Sequence, residues 1–114
     1  PLQALDLMND VQYFEAARNL AQRMMHEVNG DARQRIIWLY RTVLSRKPSD
    51  GELAIVQETF QKHLAKYQAN AEAAKQAISY GESKPDEKLN PAELAAYTMI
   101  GNLVLNLDEA VTKE

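Results

Sequence analysis

The stretch LYRTVLSRKPSDGEL, residues 39–53, indicates a corner between two helices. Its apolar residues recur at intervals of three and four, which is the spacing of one helix face. Pro48 lacks an N–H and disfavours helical backbone at the residue before it, so we expect the first helix to close by about Lys47. Ser49 and Glu52 match a capping box, in which each side chain bonds the other residue's backbone N–H. The stretch therefore predicts a helical hairpin.

Amphipathic patterns predict helices on both sides of this corner. We expect Asn9 and Asp10 to interrupt a short apolar turn at the start of the chain, and Asn29 and Gly30 to end the next helix in a left-handed cap. Asn90, followed by proline and glutamate, is a clear signal for the start of the last helix. The predicted helices are 11–28, 31–46, 49–69, 71–80 and 91–111. Asp31 is expected to start the second of them and Asn70 to cap the fourth.

Two polar regions are expected to face solvent. In the first long helix, Glu15, Arg18, Gln22 and Glu27 fall opposite the apolar stripe. Residues 81–90, GESKPDEKLN, are polar, charged and broken by a proline, which predicts an exposed, mobile loop.

The last predicted helix is apolar over most of its circumference, as expected for a helix in the middle of a bundle. No alternation with period two predicts a strand. The fold class is therefore all-α: a compact bundle of about five helices with a central, mostly apolar C-terminal helix, forming a single domain over residues 1–114.

That central helix carries one polar seam, formed by Thr98, Asn102, Asn106 and Glu109. Buried amides need hydrogen-bond partners, so these side chains either bond the backbone ends of neighbouring helices or face an opening. Asn102 and Asn106 are therefore candidate interaction residues.

Composition excludes several kinds of chemistry. The chain has no cysteine, which excludes thiol catalysis, zinc–thiolate sites and a c-type haem attached within these 114 residues. Its net charge of −3 argues against a general nucleic-acid or anionic-membrane binder. No apolar run approaches the roughly 18 residues of a membrane span, so no membrane insertion is expected. The chain begins with Pro1 and shows no apolar signal segment, which suggests that it is cut from something longer.

Residues 31–47 are nevertheless basic, with five arginine and lysine residues and one aspartate. One interpretation is a nucleic-acid-binding hairpin, although the helix that follows offers Glu52 and Glu58 on its outer face, and these repel phosphate. The other interpretation is a basic face paired with acids elsewhere. We expect Trp38 to lie outside the main apolar stripe and to mark a docking patch for the rest of the parent chain. The candidate interaction residues are Trp38, Arg41, Arg46, Asn102 and Asn106.

No catalytic, cofactor-binding or metal-binding residue is predicted. His26 and His63, the only histidines, fall near polar faces without ligand spacing. Asp108 and Glu109 are neighbours on a helix, so their side chains point about 100° apart. We expect no enzymatic activity and no cofactor.

Four stretches together resemble a known family. They are QALDLMND (3–10), FEAARNLAQR (14–23), RIIWLYRTVLSRKPSDGEL (35–53) and PAELAAYTMIGNLVLNLDE (91–109). In this order they look like the C-terminal part of the planctomycete cytochrome-c-associated domain family of unknown function. The chain departs from it with Ser45 where the family often has glycine and Tyr97 where it often has tryptophan.

The resemblance implies an exported, multidomain parent protein, often with a c-type haem domain and sometimes a lectin-like sandwich. Its partners would be other domains of the parent chain or envelope proteins, and its location the cell envelope or periplasm. The family has no established activity and supplies no functional residues. The leading hypothesis is a non-catalytic structural or interaction module, and a further alternative is an accessory domain beside a haem or carbohydrate-handling domain. The oligomeric state stays open.

Overall fold

Five helices make up the part of the chain that the structure describes. The computed structural model describes the backbone of residues 2–112 and the side chains of residues 14–108. No strand occurs within residues 2–112, and the all-α prediction is confirmed. The helices are α1 (Leu2–Glu27), α2 (Ala32–Leu44), α3 (Asp50–Ala69), α4 (Ala71–Ala77) and α5 (Pro91–Thr112).

Helix α5 lies at the centre of the bundle and contacts each of the other four helices. A Cβ on Gly101 would lie 3.2 Å from the backbone oxygen of Ala17, so the glycine allows α1 and α5 to approach closely. The radius of gyration of 13.5 Å is that of a compact globule. The predicted central helix is confirmed, and its fully buried apolar residues are Leu94, Ala95, Ala96, Ile100 and Val104.

The predicted start of α5 is also confirmed. The Asn90 side-chain oxygen accepts a hydrogen bond of 3.0 Å from the Glu93 backbone N–H. Pro91 is the first helical residue, where its missing N–H costs no hydrogen bond.

The corner between α2 and α3 has the predicted capping box. The Ser49 hydroxyl accepts from the Glu52 N–H at 3.2 Å, and the Glu52 carboxylate accepts from the Ser49 N–H at 2.9 Å. Helix α2 ends earlier than expected, at Leu44, because Ser45 takes a left-handed conformation with φ 58° and ψ 27°. This conformation ends the helix before Pro48 is reached. The helix therefore closes before Lys47, as expected, but two residues short of the predicted range 31–46.

The predicted interruption at Asn9 and Asp10 is wrong, because α1 runs without a break from Leu2 to Glu27. In a helix interior, Asn or Asp each reduces helix stability by at most about 0.7 kcal/mol relative to Ala. Helical residues on both sides can offset this loss. The cap signal at Asn9 was therefore locally plausible but too weak to divide the helix.

The predicted left-handed cap at Gly30 is also wrong, because among the described residues only Ser45 and Gly81 have a positive φ. Instead, the Arg35 side chain donates to the Val28 carbonyl at 3.0 Å near the end of α1. Glycine at position 30 has a steric role, since a Cβ there would overlap the Gln34 side chain that folds back onto the Asp31 N–H.

Helix α4 is shorter than predicted and ends at Ala77. Asn70 caps it as expected, accepting from the Ala73 N–H at 3.1 Å. Residues 78–90 then connect α4 to α5, and Gly81 takes φ 94° within this loop. No helix within the described residues combines the length and hydropathy needed to cross a membrane.

Candidate functional site

The densest polar network in the described structure joins α1 to the loop 78–90. Arg18 is fully buried at its centre. Its Nη1 donates to the backbone oxygens of Ile78 at 2.8 Å and Tyr80 at 3.2 Å. Its Nη2 donates to the Ser83 backbone oxygen at 3.0 Å and also to the Ser83 hydroxyl. One guanidinium therefore bonds three backbone carbonyls of the loop, which matches its fixed fork of donors.

Glu15 completes this contact with the opposite charge. Its carboxylate accepts from the Ser83 backbone N–H at 2.7 Å and from the Ser83 hydroxyl at 2.6 Å. It also lies 4.0 Å from Arg18 Nη2. The hydrogen bonds from the Ser83 hydroxyl and backbone, in that order, hold the pKa of Glu15 below its usual value. The buried guanidinium and this carboxylate therefore share one serine as a bridge.

Two further α1 side chains hold the far end of the loop. Gln22 Oε1 accepts from the Asp86 backbone N–H at 2.9 Å. His26 Nε2 lies 2.7 Å from Asp86 Oδ2, and Asp86 Oδ1 accepts from the Lys88 N–H at 2.9 Å. The Lys88 backbone first, and then His26, lower the pKa of Asp86. We call Glu15, Arg18, Gln22 and His26 the α1 clasp.

The clasp corrects the prediction that Glu15, Arg18 and Gln22 face solvent. Arg18 has no exposed surface, and the other two are partly buried against the loop. The loop is mostly exposed, as predicted, and is bonded to α1 at both ends, while its mobility stays a prediction. The signal in the sequence is the spacing of three, four and four between the clasp residues, which marks a second continuous face of α1.

The polar atoms of the clasp are mostly occupied by hydrogen bonds within the fold. Of the three guanidinium nitrogens of Arg18, Nη1 and Nη2 are bonded, and Nε has no hydrogen-bond partner among the described residues. Within those residues, no group of three His, Cys, Asp or Glu side chains is placed to hold a metal ion. His63 stands apart from the clasp, and its pKa is lowered by burial and then by Lys66.

Helix α2 carries two of the predicted interaction residues on its outer side. Trp38 is half-buried and packs against the core, while Arg41 is exposed. Arg23 of α1 lies over the Trp38 ring, with Cζ 5.3 Å from the ring centroid. Arg33 is exposed one helical turn before the half-buried Ile37, which in turn precedes Arg41 by one turn. We call Arg33, Ile37, Trp38 and Arg41 the α2 face.

Arg46 occupies a different environment from Arg41. It lies beyond the end of α2, and its two terminal nitrogens donate to the two carboxylate oxygens of Glu52 at 2.8 and 3.0 Å. Its Cζ lies 5.4 Å from the centroid of the Tyr40 ring. The hydrogen bond from Arg46, followed by that from the Ser49 backbone, lowers the pKa of Glu52 to about 2.

The basic cluster of residues 31–47 is therefore divided. Arg35 bonds the Val28 carbonyl and lies over the Tyr97 ring, with Cζ 5.3 Å from the ring centroid. Arg46 is paired with Glu52. Arg33, Arg41 and Lys47 are exposed, and none of the ion pairs between described residues includes them.

The polar seam of α5 does not act as one unit. Thr98 is buried and donates to the Leu94 carbonyl of its own helix at 2.7 Å. Asn102 Oδ1 is buried without a hydrogen-bond partner among the described residues. Asn106 is half-buried, and the side chain of Glu109 lies outside the described residues. The role of Asn102 and Asn106 in interactions stays a prediction.

A shallow groove of about 290 Å³ lies beside the clasp. Phe14 stacks on Tyr80 at one side, with ring centroids 5.4 Å apart. Tyr67 and Met99 line the groove as well, and Tyr80 is 45% exposed. Sequence reasoning did not group these residues, because they come from four separate elements.

Comparison with known proteins gives one match. The profile of a family described as "PSD1: Protein of unknown function (DUF1553)" matches residues 1–60. This region includes α1, α2, the corner and the first half of α3. Neither the curated proteins nor the solved structures contain a match to the chain. Because the match covers more than half of the 114 residues, the chain belongs to the DUF1553 family of proteins of unknown function.

Proposed function

We propose that this chain is a non-catalytic helical module that binds other parts of a longer, exported, multidomain protein. The observation that carries the proposal is the α2 face, where Trp38 and Ile37 are only half-buried between the exposed arginines Arg33 and Arg41. Tryptophan and arginine are the side chains most enriched at protein–protein contacts.

The α1 clasp supports the same proposal from inside the bundle. Arg18, the only buried side chain among the described residues that carries a charge, bonds the loop 78–90 with its terminal nitrogens. Catalytic groups usually converge with other titratable side chains in a cleft. Arg18 instead bonds backbone carbonyls and a serine, which is the arrangement of a structural support.

The exported setting and a C-terminal position in the parent chain belong to the proposal and are supported only by resemblance. The stretches that carry the resemblance, such as residues 35–53 and 91–109, form the corner and the central helix. Sequencing the parent gene checks this part, since a signal peptide and further domains upstream of residue 1 are expected.

A binding experiment in trans tests the module function. The 114-residue chain is mixed with the separately produced remainder of the parent protein, and association is measured by titration calorimetry and size-exclusion chromatography. We expect a saturable complex at micromolar concentration or below. Absence of a complex overturns the proposal. A turnover activity that is abolished by one polar substitution, with the fold retained by circular dichroism, overturns its non-catalytic part.

A further inference from the structure

We propose that the α2 face binds an acidic peptide segment in which an apolar side chain lies midway between two carboxylates. This inference rests on the proposed function, because it names the chemistry of the partner that the module would bind.

The charge distribution selects an acidic partner. Residues 31–47 carry four more positive than negative charges, although the whole chain has a net charge of −3. Arg35 and Arg46 are bonded within the fold, whereas Arg33 and Arg41 are exposed and form no ion pair with a described residue. Two arginines on one helix side without carboxylate partners complement two carboxylates on another chain, with each arginine able to donate two parallel hydrogen bonds.

The geometry of α2 sets the spacing of those carboxylates. Arg33, Ile37 and Arg41 follow one another at intervals of four residues, so the two arginines lie about 12 Å apart along the helix axis. An extended peptide covers this distance in about four residues, and its alternate side chains share one side. A segment of the form Glu-x-Leu-x-Glu would thus place its carboxylates on the arginines and its leucine on Ile37 and Trp38.

The surroundings of the α2 face favour a peptide over a nucleic acid. A phosphate backbone is held by a continuous row of cations. Here the row is interrupted by the apolar pair Ile37 and Trp38. Arg23 lies over the Trp38 ring but is paired with Glu27, and Glu52 stands at the corner beyond Arg41. Half-buried apolar side chains between two charges match a peptide that carries both kinds of group.

Fluorescence anisotropy with labelled peptides tests the inference on the intact 114-residue chain. The probe contains the sequence Glu-Ser-Leu-Ser-Glu, and its counterpart has Gln in place of both Glu residues. We expect the acidic probe to bind and the Gln peptide to bind about tenfold more weakly, with the difference reduced at high salt. The variant Arg33→Glu/Arg41→Glu should lose binding by about tenfold or more, and a Lys-Ser-Leu-Ser-Lys peptide should bind this variant better than it binds the unmodified chain.

The matched control is Lys75→Glu/Lys84→Glu, which changes the net charge equally at exposed lysines outside α2. We expect it to keep binding within about twofold, since these charges lie on other elements. Circular dichroism checks that both double variants are folded. No binding of the acidic probe up to roughly 1 mM overturns the inference, as does an equal loss in both double variants, tighter binding of duplex DNA than of the peptide, or self-association through this face.

The same double variants separate this inference from the proposed function. If Arg33→Glu/Arg41→Glu still binds the remainder of the parent protein as well as the unmodified chain does, the α2 face is not the contact and the inference fails, while the module function stands. If the unmodified chain does not bind that remainder, the proposed function fails whatever the peptide does.

Discussion

The α1 clasp and the α2–α3 corner are both built from a charged pair that bonds backbone groups, yet they differ in sequence separation and burial. At the corner, Ser49, Glu52 and Arg46 lie within seven residues, and Arg46 is about half exposed. At the clasp, Arg18 is buried and bonds groups 60 to 65 residues away. The capping box of Ser49 and Glu52 could be predicted because its partners are three residues apart, whereas a contact that joins distant segments depends on the packing between them.

Removing the buried arginine should have the largest effect. We expect Arg18→Ala to destabilise the fold by roughly 3–5 kcal/mol, because it leaves the buried Ile78 carbonyl and two part-buried loop carbonyls without their donor. It also removes the positive charge that lies 4.0 Å from Glu15. Urea denaturation followed by circular dichroism measures this loss. The control Lys62→Ala removes an exposed pair with Glu58 and should change the free energy of unfolding by at most about 0.5 kcal/mol. Similar small losses in both variants would show that the clasp is dispensable.

A methyl group in the loop should weaken the clasp while leaving all four clasp residues unsubstituted. Gly81→Ala places a Cβ at a residue with φ 94° and against the Glu15 carboxylate, so we expect a loss of roughly 1–3 kcal/mol. The matched control is Gly51→Ala in the first turn of α3, where a Cβ meets no atom within 4 Å. This control should be neutral or stabilising by up to about 1 kcal/mol, since alanine favours helix. Thermal unfolding of both variants measures these two changes in stability. Destabilisation by Gly51→Ala alone would contradict the prediction.

At the corner, loss of the cap should have a moderate effect. Ser49→Ala removes the acceptor for the Glu52 N–H and should cost about 1 kcal/mol. Ser79→Ala, which removes an exposed hydroxyl outside any helix start, should cost less than about 0.5 kcal/mol. Chemical denaturation of the two variants side by side provides the comparison. A larger loss for Ser49→Ala than for Arg18→Ala would reverse the ranking of the two regions.

Lowering the pH should reveal how much the pair of Arg46 and Glu52 contributes to the stability of the fold. The pKa of Glu52 falls from 4.5 to about 2 in the folded chain, mainly because Arg46 donates to it. A lowered folded pKa contributes stability that is present above pH 4.5 and is lost as the pH falls towards 2. We expect the melting temperature to decline in this range, and to decline less steeply in Glu52→Gln and in Arg46→Gln. Profiles parallel to that of the unmodified chain would exclude this pair as the cause.

The smallest predicted change is a gain. Ser45 is the only described non-glycine residue with a positive φ, and glycine adopts this conformation without steric cost. Ser45→Gly should stabilise the fold by up to about 1 kcal/mol. Thr42→Gly, in the exposed interior of α2, should instead destabilise by about 0.5–1 kcal/mol. Differential scanning calorimetry measures the gain and the loss of stability in the two variants. A loss of stability in Ser45→Gly would mean that the Ser45 side chain itself stabilises the fold.

The helix-capping signals at Asp31, Ser49, Asn70 and Asn90 all predicted real helix starts, because a cap needs only residues within one turn. Asn9 and Gly30 show the limit of the same reasoning. A capping residue with helical backbone on both sides of it is overridden by the helix. A glycine after a helix need not be left-handed when an arginine bonds a carbonyl at the helix end, as Arg35 bonds that of Val28.

The candidate interaction residues also divide into those whose position depends on one helix and those whose surroundings depend on contacts between elements. Trp38 and Arg41 were predicted from α2 alone, and the structure places them near each other because they lie on one helix side. Arg46 was predicted with them, but the left-handed turn at Ser45 directs the chain away and leaves it paired with Glu52. The shallow groove beside the clasp could not be predicted, since the residues that line it, Phe14, Tyr67, Tyr80 and Met99, come from distant parts of the chain.

By itself, the sequence determined the five helices, most of their starts and the central position of α5, because apolar periodicity and capping act within one or two helical turns. Only the tertiary structure decided which polar residues are buried. Arg18 and Lys62 are both cations on polar helix faces in the sequence, and the structure buries one and leaves the other exposed. The physical reason is that a cation can be buried only where acceptors converge on it, and the acceptors of Arg18 are brought there by the packing of α1 against the loop 78–90.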